Sequence, residues 1–236
     1  MKRRDFCRTS LTASIAAAYP FMMNAALAGS DIAAISLDGA KMELGQAAVK
    51  QLAQQLQGAL LMQGDMQYDY ARRVWNGMWD RHPALIARCA NSDDVRHAVT
   101  FAAEHHLLVS VRGGGHSWPG KSVCDGGLMI DLADMNRVTA NPDKRRAYAQ
   151  GGSLLNALDT ASLQYGLVTT AGVVSHTGVG GFTLGGGFGR LNRKYGLAVD
   201  NLVSVQLVTA DGQIRTVSAE QDPDLFWAVR GGGGNF

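Results

Sequence analysis

Twenty-nine of the 236 residues are glycine, and 23 of them lie at or after Gly113. They gather in three clusters. The first is Arg112-Gly113-Gly114-Gly115-His116-Ser117. The second runs from Thr177-Gly178-Val179-Gly180-Gly181 through Gly185-Gly186-Gly187-Phe188-Gly189, and the third is Gly231 to Gly234. Glycine permits positive φ and lets backbone N–H groups converge on an anion with no Cβ in the way. A single triplet is explained equally well by a tight turn. Three clusters in one half of the chain point instead to close backbone approach around an anionic ligand, with phosphate or pyrophosphate the first candidate. The two commonest phosphate signatures are absent. No G-K-[ST] is present, which excludes a P-loop. No G-x-G-x-x-G register fits, because Thr183 and Trp118 stand where the closing glycines after Gly178 and Gly113 belong.

Composition narrows the partners. Lys+Arg is 22 against 20 for Asp+Glu, a formal net charge of +2. Lys2, Arg3, Arg4 and Arg8 against Asp5 place +3 of that in the first 28 residues, leaving −1 for the rest. A polyanion-binding surface is not indicated, and nucleic acid is excluded as the expected partner. With 46% hydrophobic residues and no low-complexity period, the fibrous and disordered classes are excluded as well.

The basic start is followed by an apolar stretch, Ser10 to Ala28, that ends in Ala26-Leu27-Ala28. This is the layout of a secretory signal, and Arg3-Arg4-Asp5-Phe6 resembles a twin-arginine export motif. An uncleaved membrane anchor is the competing reading; Pro20 and Asn24 interrupt the run, and the A-x-A end favours cleavage over a stable span. Periplasmic or secreted location is expected, and export in the folded state suits a protein that acquires a cofactor first. Cys7 leaves with the signal. Cys89 and Cys124 make no disulfide framework and no C-x-x-C, so packed thiols are expected and no metal site.

Along the mature chain, residues 29–82 form a partly helical segment, with a helix expected over Gln46 to Met62. Tyr68, Tyr70, Trp75 and Trp79 read as packing aromatics. Ser92 is the expected cap of a helix whose inward stripe is Val95, Ala98, Val99, Ala102 and Ala103. Strands are expected over Leu107–Val111, Leu128–Leu132 and Ala147–Gln150, and a helix over Ser153–Tyr165 closed by Gly166. Asp211-Gly212 marks a hairpin between Leu202–Thr209 and Gln213–Val217, and Asp222–Val229 reads as a short helix. Elements mix without a regular βαβ rhythm, so the fold class is α+β. His116, directly after a strand and a glycine triplet, is the candidate reactive histidine; His176, bordering the second cluster, is either a cofactor contact or a polar loop residue.

R-G-G-G-H-S at Arg112–Ser117, T-G-V-G-G-F-T-L-G-G-G-F-G at Thr177–Gly189, R-K-Y-G-L-A-V-D-N at Arg193–Asn201 and D-L-F-W-A-V-R-G-G-G-G-N-F at Asp224–Phe236 together resemble the FAD-linked oxidases of the berberine bridge enzyme type. These belong to the vanillyl-alcohol oxidase or p-cresol methylhydroxylase (PCMH) superfamily. The resemblance spans Pro83 to Phe236. It implies a PCMH-type FAD-binding domain of two α+β subdomains over 83–236, preceded by the signal over 1–28 and the helical segment over 29–82.

The resemblance implies that Arg112, Gly113, Gly114, Gly115, His116 and Ser117 wrap the FAD pyrophosphate. His116 is the implied covalent attachment point to the flavin 8α-methyl carbon, for which a neutral imidazole is a competent nucleophile. Thr177, Gly178, Gly180, Gly181, Gly185, Gly186, Gly187 and Gly189 would line the diphosphate and ribityl chain, and Tyr195, Asp200 and Asn201 would close the cavity. Some members make a second flavin bond through a cysteine; Val174 stands at that position, so a single histidyl link is expected.

The family's substrate-covering domain and its catalytic base are expected beyond Phe236, and the chain reads as truncated before them. The expected function is oxidation of a small organic alcohol, sugar or similar substrate, with oxygen or another electron acceptor. Three alternatives are a non-catalytic FAD-binding remnant, a partner chain that supplies the substrate domain, and, disfavoured by the absent fingerprint, a nicotinamide dehydrogenase.

Overall fold

The computed structural model describes residues 31–236, and the expected export signal over 1–28 lies outside the described residues. β1 (Ile32–Ile35) and β2 (Lys41–Leu44) form an antiparallel hairpin that leads into α1 (Gln46–Gln55). A four-stranded sheet follows, built from β3 (Ala59–Leu61), β4 (Leu85–Arg88), β5 (Val109–Arg112) and β6 (Leu128–Asp131) in the order β3-β4-β6-β5. β3 is antiparallel to β4, whereas β4 and β5 run parallel to β6 between them. Leu128, Met129, Ile130 and Asp131 are all buried, as expected of a central strand covered on both faces. α2 (Tyr68–Ala71) lies between β3 and β4 in sequence, and α3 (Ser92–Glu104) crosses from β4 to β5. One local βαβ unit therefore sits within a scaffold that is otherwise mixed.

Three expectations need correction here. The helix from Gln46 ends at Gln55 rather than Met62. A side chain at Gly58 would place its Cβ 1.9 Å from the Arg88 carbonyl oxygen, and Ala59–Leu61 pairs with β4 instead of continuing the helix. The cap of α3 is Asn91, whose side chain accepts from the Asp94 N–H at 2.9 Å, while the Ser92 hydroxyl donates to Gln206 Oε1 at 3.0 Å. Ala103 faces solvent, and Phe101 takes the inward place beside Ala98 and Ala102.

Asp94 is 1% exposed, and its carboxylate accepts from the N–H groups of Gln57, Gly58 and Ala90, each at 2.9 Å. One acidic side chain thus joins the end of α1, the start of β3 and the start of α3.

The second half begins with the hairpin β7 (Val138–Asn141) and β8 (Arg146–Ala149), followed by α4 (Leu155–Leu163) and Gly166 at φ +65°. α5 (Val179–Leu184) and α6 (Asn192–Tyr195) are short. β9 (Ser204–Val208) and β10 (Ile214–Ser218) pair antiparallel across Asp211-Gly212, with Gly212 at φ +74° and the Thr209 N–H donating to Gln213 O. α7 (Pro223–Val229), capped by Asp222, packs Phe226 and Val229 against Val217 in a core of its own. The larger core lies between α1, α3 and the sheet. Among the described residues no helix is long and apolar enough to cross a membrane. Cys89 and Cys124 are buried free thiols whose burial raises their pKa.

Candidate functional site

The end of β5 delivers Arg112 into the first glycine loop. The Arg112 guanidinium turns away from that loop toward buried structure. It reaches Asp131 Oδ1 at 3.3 Å and donates to the carbonyls of Ala71 and Arg73. Asp131 is fully buried; desolvation raises its carboxyl pKa, opposed by the charges of Arg112 and Arg88. The backbone N–H groups from Gly113 to Trp118 donate to no other group among the described residues. Six consecutive N–H groups thus have no protein acceptor among the described residues, and anion-binding loops are built from such runs of donors.

The two glycine loops meet. A Cβ added to Gly114 would lie 2.3 Å from the Gly178 nitrogen, and one added to Gly178 would lie 2.4 Å from the Gly114 nitrogen. A third turn, Gly151-Gly152, completes the contact: Gly151 O lies 2.8 Å from the Cβ position of both Gly113 and Gly180. Sequence reasoning missed this turn; the pair Gly151-Gly152 between β8 and α4 was the available signal. α4 ties the second loop down, with Leu155 N–H donating to Thr177 O, Asn156 N–H to Ser175 O, and Val179 N–H to Ser153 O.

His116 and His176 come together at the edge of this contact. His116 Nε2 lies 2.7 Å from His176 Nδ1, and the rings are 4.7 Å apart at their centroids. The Trp75 ring stacks on His116 at 5.1 Å and 18°, and the Trp75 backbone N–H donates to Gly115 O at 3.0 Å. The segment continues as a clasp: Asn76 Nδ2 and Trp79 Nε1 both donate to Trp118 O at 2.9 Å. Sequence reasoning took Trp75 for packing alone. Burial, then the charge of His176, holds the His116 imidazole pKa below its ordinary value, while hydrogen bonding to the His176 backbone pulls the other way. Ser117 faces its own turn, its hydroxyl accepting from Lys121 N–H at 3.1 Å.

The second half of the long cluster is held from another side. Gly186 and Gly187 have φ of +107° and +69°, and their carbonyls accept from Val199 and Ala198. Asp200 Oδ2 accepts from Leu197 N–H at 2.7 Å, and Asn201 Nδ2 donates to Tyr195 O and Leu197 O. Asp200 and Asn201 therefore fix the turn that braces Gly186-Gly187. The Tyr195 ring is half exposed beneath Lys194. Gly185 caps α5, and a Cβ at Gly189 would lie 1.9 Å from Ala171 O. Gly181 has open space around its Cβ position. No hydrogen bond joins Gly113–Ser117 directly to Gly185–Gly189 among the described residues. Val174, where a second flavin link would stand, is exposed.

Two glycine loops in backbone contact, a row of N–H donors without protein partners and a histidine beside them mark an α+β domain suited to a pyrophosphate-bearing cofactor. The residues present fit FAD, whose pyrophosphate calls for backbone N–H donors such as those the first loop leaves without a protein partner among the described residues. A family model described as an FAD binding domain matches residues 83–218. The chain belongs to that family, the PCMH-type FAD-binding domain of berberine bridge enzyme-like oxidoreductases, and FAD is the family's cofactor.

The chain is 39% identical over 181 residues to (R)-6-hydroxynicotine oxidase of Paenarthrobacter nicotinovorans, covering 77% of this chain and 40% of that protein. It is 38% identical over 192 residues to the FAD-linked oxidoreductase pgmH of Aspergillus terreus, covering 80% and 39%. Among solved structures, 6-hydroxy-D-nicotine oxidase of Arthrobacter nicotinovorans matches with a TM-score of 0.75 at 39% identity, covering 77% of this chain and 40% of that one. The xylooligosaccharide oxidase of Myceliophthora thermophila C1 matches with a TM-score of 0.75 at 32% identity, covering 80% and 41%. The chain spans about two fifths of the length of these relatives.

Proposed function

We propose that this chain is the FAD-holding part of an exported oxidoreductase that oxidises a small organic molecule. The observation that carries the reading is the backbone contact of Gly114 with Gly178 beside His116, with six free N–H donors running from Gly113 to Trp118. In this reading the backbone of Arg112–Ser117 and Thr177–Gly189 takes the pyrophosphate and ribityl chain. Arg112 acts there through its backbone, since its guanidinium braces the 71–73 segment. His116 holds the flavin covalently, and with Val174 in place of a cysteine the histidyl link is single.

FAD supplies two-electron acceptance when bound. Of the relatives named above, those whose names state a substrate act on hydroxynicotine or xylooligosaccharide, so an alcohol, sugar or amine is the substrate class proposed here, with oxygen or another acceptor taking the electrons. Phe188, within the second glycine cluster, and Val173, just before it, are 74% and 65% exposed, and cover from a further domain or a partner chain is proposed for this edge. The twin-arginine pattern at Arg3-Arg4 supports delivery to the periplasm or beyond.

The test is to express the full chain, precipitate it in acid and ask whether yellow flavin stays with the protein, alongside His116→Ala. Flavin retained by the wild type and lost by the variant supports the reading. A folded, colourless wild type that takes up no added FAD overturns it.

A further inference from the structure

We propose that His176 accepts the proton that His116 loses when it bonds to the flavin. The inference rests on the histidyl link proposed above and assigns a role to a second residue of the same site. A 2.7 Å separation between two imidazole nitrogens requires one shared proton, with one ring donating and the other accepting. Among the described residues no carboxylate hydrogen-bonds either ring, and the groups that contact His116 from neighbouring elements are His176 and the Trp75 indole. Among the described residues each histidine is the other's only side-chain hydrogen-bond partner. His176 is also exposed, so a proton it receives has a route to water.

The placement of His176 is not left to a free loop. The carbonyls on either side of it, at Ser175 and Thr177, accept from Asn156 and Leu155 at the start of α4. The Gly114–Gly178 contact fixes one loop against the other, and Trp75 holds the face of the His116 ring. Burial lowers the His116 pKa and so favours the neutral imidazole, whose lone pair forms the bond.

One C–N bond forms between His116 and the 8α-methyl carbon, while one imidazole N–H bond and one methyl C–H bond break. The two electrons released pass through the flavin ring to oxygen, which with two protons leaves as hydrogen peroxide. His176 takes the imidazole proton and returns it to solvent. It acts through His116 and is a positioning and proton-accepting residue.

The experiment prepares the full chain free of flavin, adds FAD in aerated buffer, and follows acid-stable flavin on the protein with time. His176→Ala is expected to bind FAD but to form the covalent bond at least tenfold more slowly, and added imidazole is expected to restore much of the rate. His176→Asn, which keeps a polar side chain of similar reach, guards against a folding defect and is expected to be equally slow. Bond formation at the wild-type rate in either variant overturns the proposal. A slow variant that imidazole fails to rescue reduces His176 to a structural role and also overturns it. Covalent flavin on His116→Ala would instead overturn the histidyl link itself, so the two failures are distinguishable.

Discussion

Gly114 and Gly178 lie 64 positions apart in the sequence yet touch through their backbones, each so close that the other has no room for a Cβ: 2.3 Å from one Cβ position and 2.4 Å from the other. This contact joins the sheet half of the fold, through β5, to the α4–α5 half. It explains why both clusters carry glycine where neither position needs a positive φ. The requirement is space between two main chains.

Replacing Gly178 with alanine should therefore destabilise the fold by roughly 1–3 kcal/mol, the usual cost of overpacking. For a chain of this size that corresponds to a fall in Tm of several degrees. Gly181, in the first turn of α5 with nothing within 4 Å of its Cβ position, is the control. Gly181→Ala should leave Tm unchanged or slightly raised, as expected for alanine over glycine in a helix, while weakening FAD binding if that loop faces the pyrophosphate. Thermal melts and FAD titrations of both variants check this; equal losses of Tm would refute the space argument.

The glycine clusters, the hairpin at Asp211-Gly212 and the α+β class were legible in the sequence because each rests on local chemistry. What was not legible depends on tertiary contact. Residues 56–62 carry helical composition, but the Asp94 carboxylate and the Arg88 backbone claim Gln57 and Gly58, and pairing with β4 decides the rest. Ser92 reads as the cap from its place before Asp93 and Asp94, but its hydroxyl goes to Gln206, 114 residues away, and Asn91 caps the helix. Arg112 reads as a phosphate ligand from its motif, and only the fold shows its guanidinium committed to Asp131 and two carbonyls. The His116–His176 pairing spans 60 residues and had no local signature.

The Asp131 carboxylate is fully buried between Arg112 at 3.3 Å and Arg88 at 3.7 Å. Removing one partner leaves uncompensated buried charge, which costs about 3–5 kcal/mol in comparable pairs. Asp131→Ala should lose that much in urea unfolding. Arg112→Lys should also destabilise, because an ammonium cannot serve the carboxylate and the carbonyls of Ala71 and Arg73 with a planar fork. A lysine variant with wild-type stability would show that the fork geometry is irrelevant.

The export proposed above rests on the paired arginines Arg3 and Arg4. Changing Arg3 and Arg4 together to lysine should retain the protein in the cytoplasm of a twin-arginine-competent bacterium, with the folded domain unaffected. Fractionation and immunoblotting read the outcome; unchanged export would assign it to another route or none.

Imidazole ordinarily titrates near 6.5, and the burial of His116 lowers its value in the fold. Between the folded value and 6.5 the unfolded chain binds more protons at this site than the native one, so this site's contribution to stability rises with pH across that window. The contribution is fully present above 6.5 and is lost as pH falls through the folded value. Trp75 covers one face of the ring, so Trp75→Ala should bring the His116 pKa back toward 6.5 and flatten this part of the stability profile. It should also remove roughly 1 kcal/mol of stacking. Denaturation midpoints of wild type, Trp75→Ala and His116→Ala between about pH 5 and 8, with an NMR titration of the His116 ring, separate the two effects. If the His116 pKa stays where it was in Trp75→Ala, its lowering belongs to His176 and the glycine loops rather than to the indole.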